Sequence, residues 1–416
     1  MTESFGAVIP APGSVGVDWE ARVDYGRLRE HRLRRAREAL DASELGALLA
    51  FDMNNVRYLT STHIGEWARD KLLTFALLTR GGEPIVWDFG SAAKHHRLYC
   101  PWLDPSNSRA GLTGLRGAVP PQAGLFRGAA LEVKAVLEEA GVADMPLGLD
   151  VTELPMLFEL QAVGLEVRDG QQVMLDARQI KSRDEIMLLT MAASMVDGVY
   201  QRIAEALKPG VRESEIVALA TGRLYELGSD DVEAINAISG ERCSPHPHNF
   251  SDRLIRPGDQ AFFDIIQAFN GYRTCYYRTF NVGRATAAQR DAYRQAREWM
   301  DAAIDLVKPG VSSDQIARLW PRAEEFGFSG EMEAFGLQFG HGLGLGLHER
   351  PVISRLHSLE HPVEIHEGMV FALETYCPAT DGYSAARIEE EVVVTAQGAR
   401  VITLYPAEEL PIANEY

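Results

Sequence analysis

A chain of 416 residues, 46% hydrophobic and 24% charged, is long enough for two hydrophobic cores and has the composition of an ordinary globular protein. Its formal net charge of -18 argues against nucleic acid or an anionic membrane surface as partner, and no apolar run approaches the roughly 20 residues that a membrane helix needs. The four cysteines, Cys100, Cys243, Cys275 and Cys377, show no paired spacing, which fits a reducing cytoplasm and argues against a disulfide framework.

The N-terminal stretch MTESFGAVIPAPGSVG has neither the basic start nor the long apolar segment of a signal peptide, and predicts a flexible arm over residues 1–20. Residues 25–42 carry apolar side chains at helical spacing among charges. LGALLAF (45–51) reads as a buried strand and LLTFALLTRGGEPIVWDF (72–89) as a hairpin turning at Gly81-Gly82. Residues 104–128 are rich in Pro, Gly and Ser and read as loop. A helix (129–141), a strand (147–150), a helix from Thr152 and a strand near 165–168 complete an α/β domain over residues 21–180.

The second domain, 181–416, opens with a helix for which Ser182 and Glu185 form a capping box and which stops at Pro209-Gly210. About a hundred residues on, the pattern returns: ALKPGVRESEI and LVKPGVSSDQI each follow a long amphipathic helix and precede a second helix start. The repeat predicts a pseudo-twofold α+β domain, with helices covering a curved antiparallel sheet built from segments such as QAFFDIIQAF, GMVFALETY and EEEVVVT.

Four segments of this domain carry chemistry: FFDIIQAFNGYRTCYYRTF (262–280) with Asp264 and Cys275, FGHGLGLGLHERP (339–351) with His341, His348 and Glu349, EGMVFALETY (367–376) with Glu374, and SAARIEEEVVVT (384–395) with Arg387 and Glu389. Each has an ordinary structural reading: a turn-capping Asp, a glycine-rich turn with incidental histidines, a solvated acidic face at Glu389 to Glu391. Together, one imidazole and three carboxylates fit a divalent cation of the Mn, Fe, Co or Zn type, and the glycines between His341 and His348 would let backbone and substrate come close.

The order Asp, Asp or Cys, HGxGxxxHExP, Glu in a strand, then R-I-E before a Val-rich strand resembles the pita-bread superfamily of methionine aminopeptidases, prolidases and creatinases. The likeness covers nearly the whole chain; FDMNNVRYLT resembles the creatinase-type N-terminal domain, and SRDEI, KPGV, SGERCSPHPHNFSDRLIRPGD and RTF fall where the prolidase and creatinase branch has similar segments. The resemblance implies a creatinase N-terminal-like α/β domain followed by a pita-bread domain. It implies a metal ligand at Asp264, metal ligands at His341 and Glu374, and a bridging ligand at Glu389. It further implies that His348 holds substrate or the developing oxyanion, that Arg387 orients Glu389, and that His246 or His248 lines the pocket; Tyr272 joins Arg387 and His348 as a substrate-facing group.

Position 275 is an aspartate in that family and bridges two ions, whereas a thiolate offers a single sulfur. The reading placed first is therefore one divalent ion per chain, ahead of a metal-free site and of a cysteine-bridged pair. The expected activity is hydrolysis of a C–N bond in a small amino-acid-like or dipeptide-like substrate, by a cytoplasmic homodimer. A dimethylsulfoniopropionate-lyase-like enzyme, with a carboxylate or a tyrosine such as Tyr276 or Tyr277 as base, is the alternative; a non-catalytic peptide-binding domain is the second.

Overall fold

The computed structural model describes residues 23–63, 65 and 71–416, so the arm expected over 1–20 lies outside the described residues. The first helix, Tyr25–Ala42, starts where Asp24 accepts hydrogen bonds from the backbone N–H groups of Gly26 and Arg27, and it buries Leu28, Arg32, Ala36 and Leu40. Four-residue spacing places these side chains along one face.

Six strands form the first sheet: β1 (Ala47–Ala50), β2 (Phe75–Thr79), β3 (Ile85–Asp88), β4 (Ser108–Ala110), β5 (Leu147–Leu149) and β6 (Val167–Asp169), in the order β4-β3-β2-β1-β5-β6. β2 and β3 are the expected hairpin. The loop expected over 104–128 contains the edge strand β4, paired in parallel with β3. Three residues are too few to show a period in sequence. A helix over Gln171–Gln179 was likewise not expected; it is polar except for the face that buries Met174 and Ala177.

The capping box at Ser182 and Glu185 is formed, and the helix it starts, Arg183–Ala206, is the longest among the described residues. Two further sheets follow. β7 (Asp231–Ser239), β8 (Gln260–Phe269), β9 (Tyr272–Val282) and the short β15 (Ile412–Ala413) lie in the order β15-β9-β8-β7. β10 (Phe339–Gly342), β11 (Glu349–Ile353), β12 (Val370–Pro378), β13 (Ala385–Thr395) and β14 (Gly398–Val401) lie in the order β11-β10-β12-β13-β14.

The internal repeat is visible in the backbone. Gly210 and Gly310 have φ of 90° and 87°, a left-handed conformation that glycine adopts without a Cβ penalty. Gly210 N–H donates to Ile255 O at 2.8 Å and Gly310 N–H to Ile365 O at 2.9 Å. Gly258 and Gly368 then donate to Val282 O and Val394 O in the same way. Each half thus delivers one long hairpin, β8–β9 or β12–β13, to the centre of the domain.

Side chains join the two hairpins where β9 faces β13. Thr279 Oγ1 donates to Arg387 O at 2.6 Å, Arg278 donates to Glu389 O at 2.5 Å and to Glu390 at 2.9 Å, and Thr274 donates to Glu391 at 2.6 Å. Glu389, Glu390 and Glu391 are all buried, at 0%, 4% and 0% exposure. The solvated acidic face considered from sequence does not exist; alternation sends Glu390 to the face opposite Glu389 and Glu391, and both faces are covered, with Arg278 and Arg297 on Glu390 and Thr274 on Glu391.

Candidate metal and catalytic site

The site is the gap between the two hairpins. In the β8–β9 register Asp264 stands opposite Tyr277 and Ile266 opposite Cys275; in the β12–β13 register Glu374 stands opposite Glu389 and Tyr376 opposite Arg387. His341 comes from β10, whose register sets it beside Ala372 and leaves its Nε2 3.6 Å from Glu374 Oε1 and 3.8 Å from Glu389 Oε1. Cys275 Sγ lies 3.3 Å from Asp264 Oδ1 and 4.0 Å from Glu389 Oε2. Asp264, Cys275, His341, Glu374 and Glu389 are all buried and converge.

Crowding of buried acids sets their protonation. Burial, reinforced by the Glu374 charge, pushes the Asp264 carboxyl up to about 6. Burial and the charges of Glu374 and Asp264 hold Glu389 well above the carboxylate range. Burial also works to raise Glu374, but Arg387 and His341 outweigh it and keep it ionised. The Cys275 thiol is raised by burial and by Asp264 and Glu389, so it is neutral in the absence of a cation.

Arg387 is fully buried and touches Glu374 Oε2, His246 Nε2 and, at 2.7 Å, Gly336 O. The orienting contact with Glu389 expected from the resemblance is replaced by one with Glu374. A role facing substrate is also replaced, since no part of this side chain reaches solvent. A guanidinium has only donors, so His246 Nε2 must accept and its Nδ1–H donates to Pro247 O at 3.2 Å. Burial together with Arg387 and His248 lowers His246 to about 2, which fixes this neutral tautomer. Of the two histidines proposed for the pocket, His246 is buried against Arg387, and His248 is exposed with its ring 4.3 Å from that of His246.

His348 is exposed beside the cluster, its ring 4.6 Å from that of His341, and burial of part of the ring with the neighbouring His341 lowers it to about 4. Glu349 turns the other way. It is buried against Lys181 Nζ at 2.9 Å and Arg178 at 3.3 Å, and accepts from Gly346 N–H at 2.9 Å. A Cβ at Gly344 would strike that carboxylate. The group in close approach at this glycine is Glu349.

Tyr272 is not at the site. It is fully buried at the far end of β9, where its hydroxyl takes hydrogen bonds from Arg32 at 2.7 and 3.0 Å and donates to Glu185 at 2.9 Å. Tyr276 points to the opposite face of β9 from Cys275 and donates to Asp197 at 2.7 Å. Tyr277 does face the site, but burial and Asp264 raise its hydroxyl well above the ordinary tyrosine range, so it is no base. Asn236, which holds Asp264 Oδ2 at 2.9 Å from β7, and Lys181, which anchors the loop of His348 through Glu349, were not anticipated. Asn236 carries no sequence signal; Lys181 adjoins the capping box and had one.

A model of metallopeptidase family M24 matches residues 188–396. The chain belongs to this family. The probable dipeptidase PepE of Mycobacterium tuberculosis is 29% identical over 279 residues, 65% of this chain and 72% of the relative. The dimethylsulfoniopropionate lyase DddP of Roseovarius nubinhibens is 26% identical over 400 residues, 92% of this chain and 87% of the relative. The solved prolidase of Thermococcus sibiricus superposes with a TM-score of 0.74 at 24% identity, over 94% of this chain and 100% of that one. The M24 protein is therefore an enzyme, a hydrolase by family, with the two-part prolidase fold.

The family implies a divalent metal ion, and the residues present fit one. Sγ of Cys275, a ring nitrogen of His341 and a carboxylate oxygen of Glu389 lie within 4.8 Å of one another. Glu389 Oε1 is buried with no hydrogen-bond donor among the described residues, an arrangement that is costly without a cation. No helix among the described residues is long and apolar enough to cross a membrane.

Proposed function

We propose that this chain hydrolyses a C–N bond in a small amino-acid-like or dipeptide-like substrate with the help of one divalent ion (Mn, Fe, Co or Zn). The observation that supports it is the buried cluster of Asp264, Glu374 and Glu389 around His341, with a neutral histidine, His348, at its open side. An ion bound there would supply an activated water and polarise the scissile carbonyl.

The chain's own groups do the rest. Glu389, ionised once a cation sits beside it, is the base, taking a proton at the carboxylate oxygen that the cation would leave free. His348 is kept neutral, so its ring N–H donates to the developing oxyanion. His248, exposed beside His246, is placed to return a proton to the leaving amine. Arg387 and His246 act from behind, holding Glu374 in place. In this reading a domain division near residue 180 puts all of these groups in the second domain. A cytoplasmic homodimer is the assembly the resemblance implies, and light scattering coupled to gel filtration tests the dimer.

The test is turnover on a panel of Xaa-Pro and other dipeptides and small cyclic or guanidino amides, after loading with each of the four metals. Release of an amine that chelator abolishes is the expected result; release that survives chelation places the enzyme with the metal-free creatinase-type branch. The lyase reading is second because DddP matches over 92% of this chain. Dimethyl sulfide released from dimethylsulfoniopropionate, with no amide cleaved, would overturn hydrolysis. Against a tyrosine base for such a lyase stand the neutral Tyr277 and the hydroxyl of Tyr276 turned to Asp197.

A further inference from the structure

The five converging side chains are not equally free to bind a cation. Glu374 has one oxygen against Arg387, and Asp264 has one oxygen accepting from Asn236 at 2.9 Å. Cys275 Sγ meets carboxylate oxygens among the described residues, Asp264 Oδ1 at 3.3 Å and Glu389 Oε2 at 4.0 Å. A thiol has one proton to share between these two acidic neighbours. Glu389 Oε1, 3.8 Å from His341 Nε2, has no donor at all among the described residues. The unmet acceptor, Glu389 Oε1, and the sulfur thus border one small volume, walled by Cys275, His341 and Glu389.

We propose that this volume is a sulfur-ligated, four-coordinate metal site: Cys275 thiolate, His341 imidazole and Glu389 carboxylate bind a single thiophilic cation of the zinc or cobalt(II) class, with the fourth position open. The proposal rests on the divalent-ion part of the reading above and deepens it. Bonds of about 2.0 Å to nitrogen or oxygen and about 2.3 Å to sulfur place tetrahedral ligand atoms ~3.3–3.8 Å apart. The three donor atoms already lie within 4.8 Å of one another, brought together from β9, β10 and β13, so small side-chain rotations close the set. One soft sulfur among the donors shifts preference from manganese and magnesium towards zinc. Three protein ligands with an open fourth position is the arrangement of hydrolytic zinc sites. Binding breaks the Cys275 S–H bond, forms the sulfur–metal bond and releases one proton to solvent; no oxidant or reductant takes part.

X-ray absorption at the zinc edge reads the ligands directly. The full chain, stripped with chelator and loaded with one equivalent of zinc, should show one sulfur neighbour at about 2.3 Å and nitrogen or oxygen neighbours at about 2.0 Å. The Cys275→Ser variant should lose the sulfur shell, and its zinc affinity should fall by at least about tenfold. Cobalt(II) should give a near-ultraviolet sulfur-to-metal band in the wild type and none in the variant. A shell of nitrogen and oxygen alone, a sulfur shell that survives in Cys275→Ser, or failure to retain zinc would each overturn the proposal. The turnover panel answers separately whether the enzyme is a hydrolase, so a hydrolase with an oxygen-ligated or metal-free site is told apart from failure of both readings.

Discussion

The hairpins β8–β9 and β12–β13 are built on one plan, with matching glycine turns and matching backbone bonds, yet their inward faces carry opposite chemistry. By register, Asp264 corresponds to Glu374, Tyr277 to Glu389 and Cys275 to Arg387. The second hairpin therefore presents two carboxylates and a guanidinium, while the first presents one carboxylate, a neutral phenol and a neutral thiol. The lesson is one of charge economy. Arg387 already balances Glu374, so what remains for a cation to neutralise is Glu389 and the groups opposite it.

Equivalent positions should then differ sharply when truncated. Arg387→Ala leaves the buried Glu374 without its partner and should destabilise the chain by about 3–5 kcal/mol, read as a fall in denaturation midpoint. Equal costs for Arg387→Ala and Cys275→Ala would break the comparison. Next in size, His348→Ala should lower turnover by roughly 10²–10³ while leaving the fold intact; unchanged turnover on the true substrate would remove its assigned role. Cys275→Asp restores a two-oxygen bridge to the poorer hairpin, so metal content by mass spectrometry should rise from near one ion per chain towards two. Two ions already present in the wild type would contradict the single-ion site. The smallest effects are Cys275→Ala in the metal-free protein and Tyr277→Phe, each costing about 1 kcal/mol or less. The phenol makes a weak contact on this face, from Asn236 at 3.4 Å, and the thiol two long ones, to Asp264 at 3.3 Å and Glu389 at 4.0 Å.

Much of this was legible in the residues. The capping box at Ser182, the hairpin at Gly81-Gly82, the repeated Lys-Pro-Gly-Val turns and the strands bearing Asp264, Glu374 and Glu389 all rest on local rules that sequence states directly. Tyr272 was misplaced because strand alternation gives a face but not a position along the cleft. It shares a face with Thr274 and Tyr276 and ends under the first helix, at Arg32. The glycines after His341 were correctly read as points of close approach, but the group that approaches is Glu349, brought there by Lys181 from 168 residues earlier.

By itself the sequence determined the family, the repeat and the identity of the converging side chains, because capping, periodicity and motif order act over a few residues at a time. Only the tertiary structure decided their division of labour. It gave Arg387 to Glu374, buried His246 and exposed His248, and left Cys275, His341 and Glu389 facing one another. Those outcomes depend on which donors reach which buried acids, within one hairpin for Arg387 and Glu374 and between the two hairpins for Cys275 and Glu389, and desolvation makes each such pairing decisive.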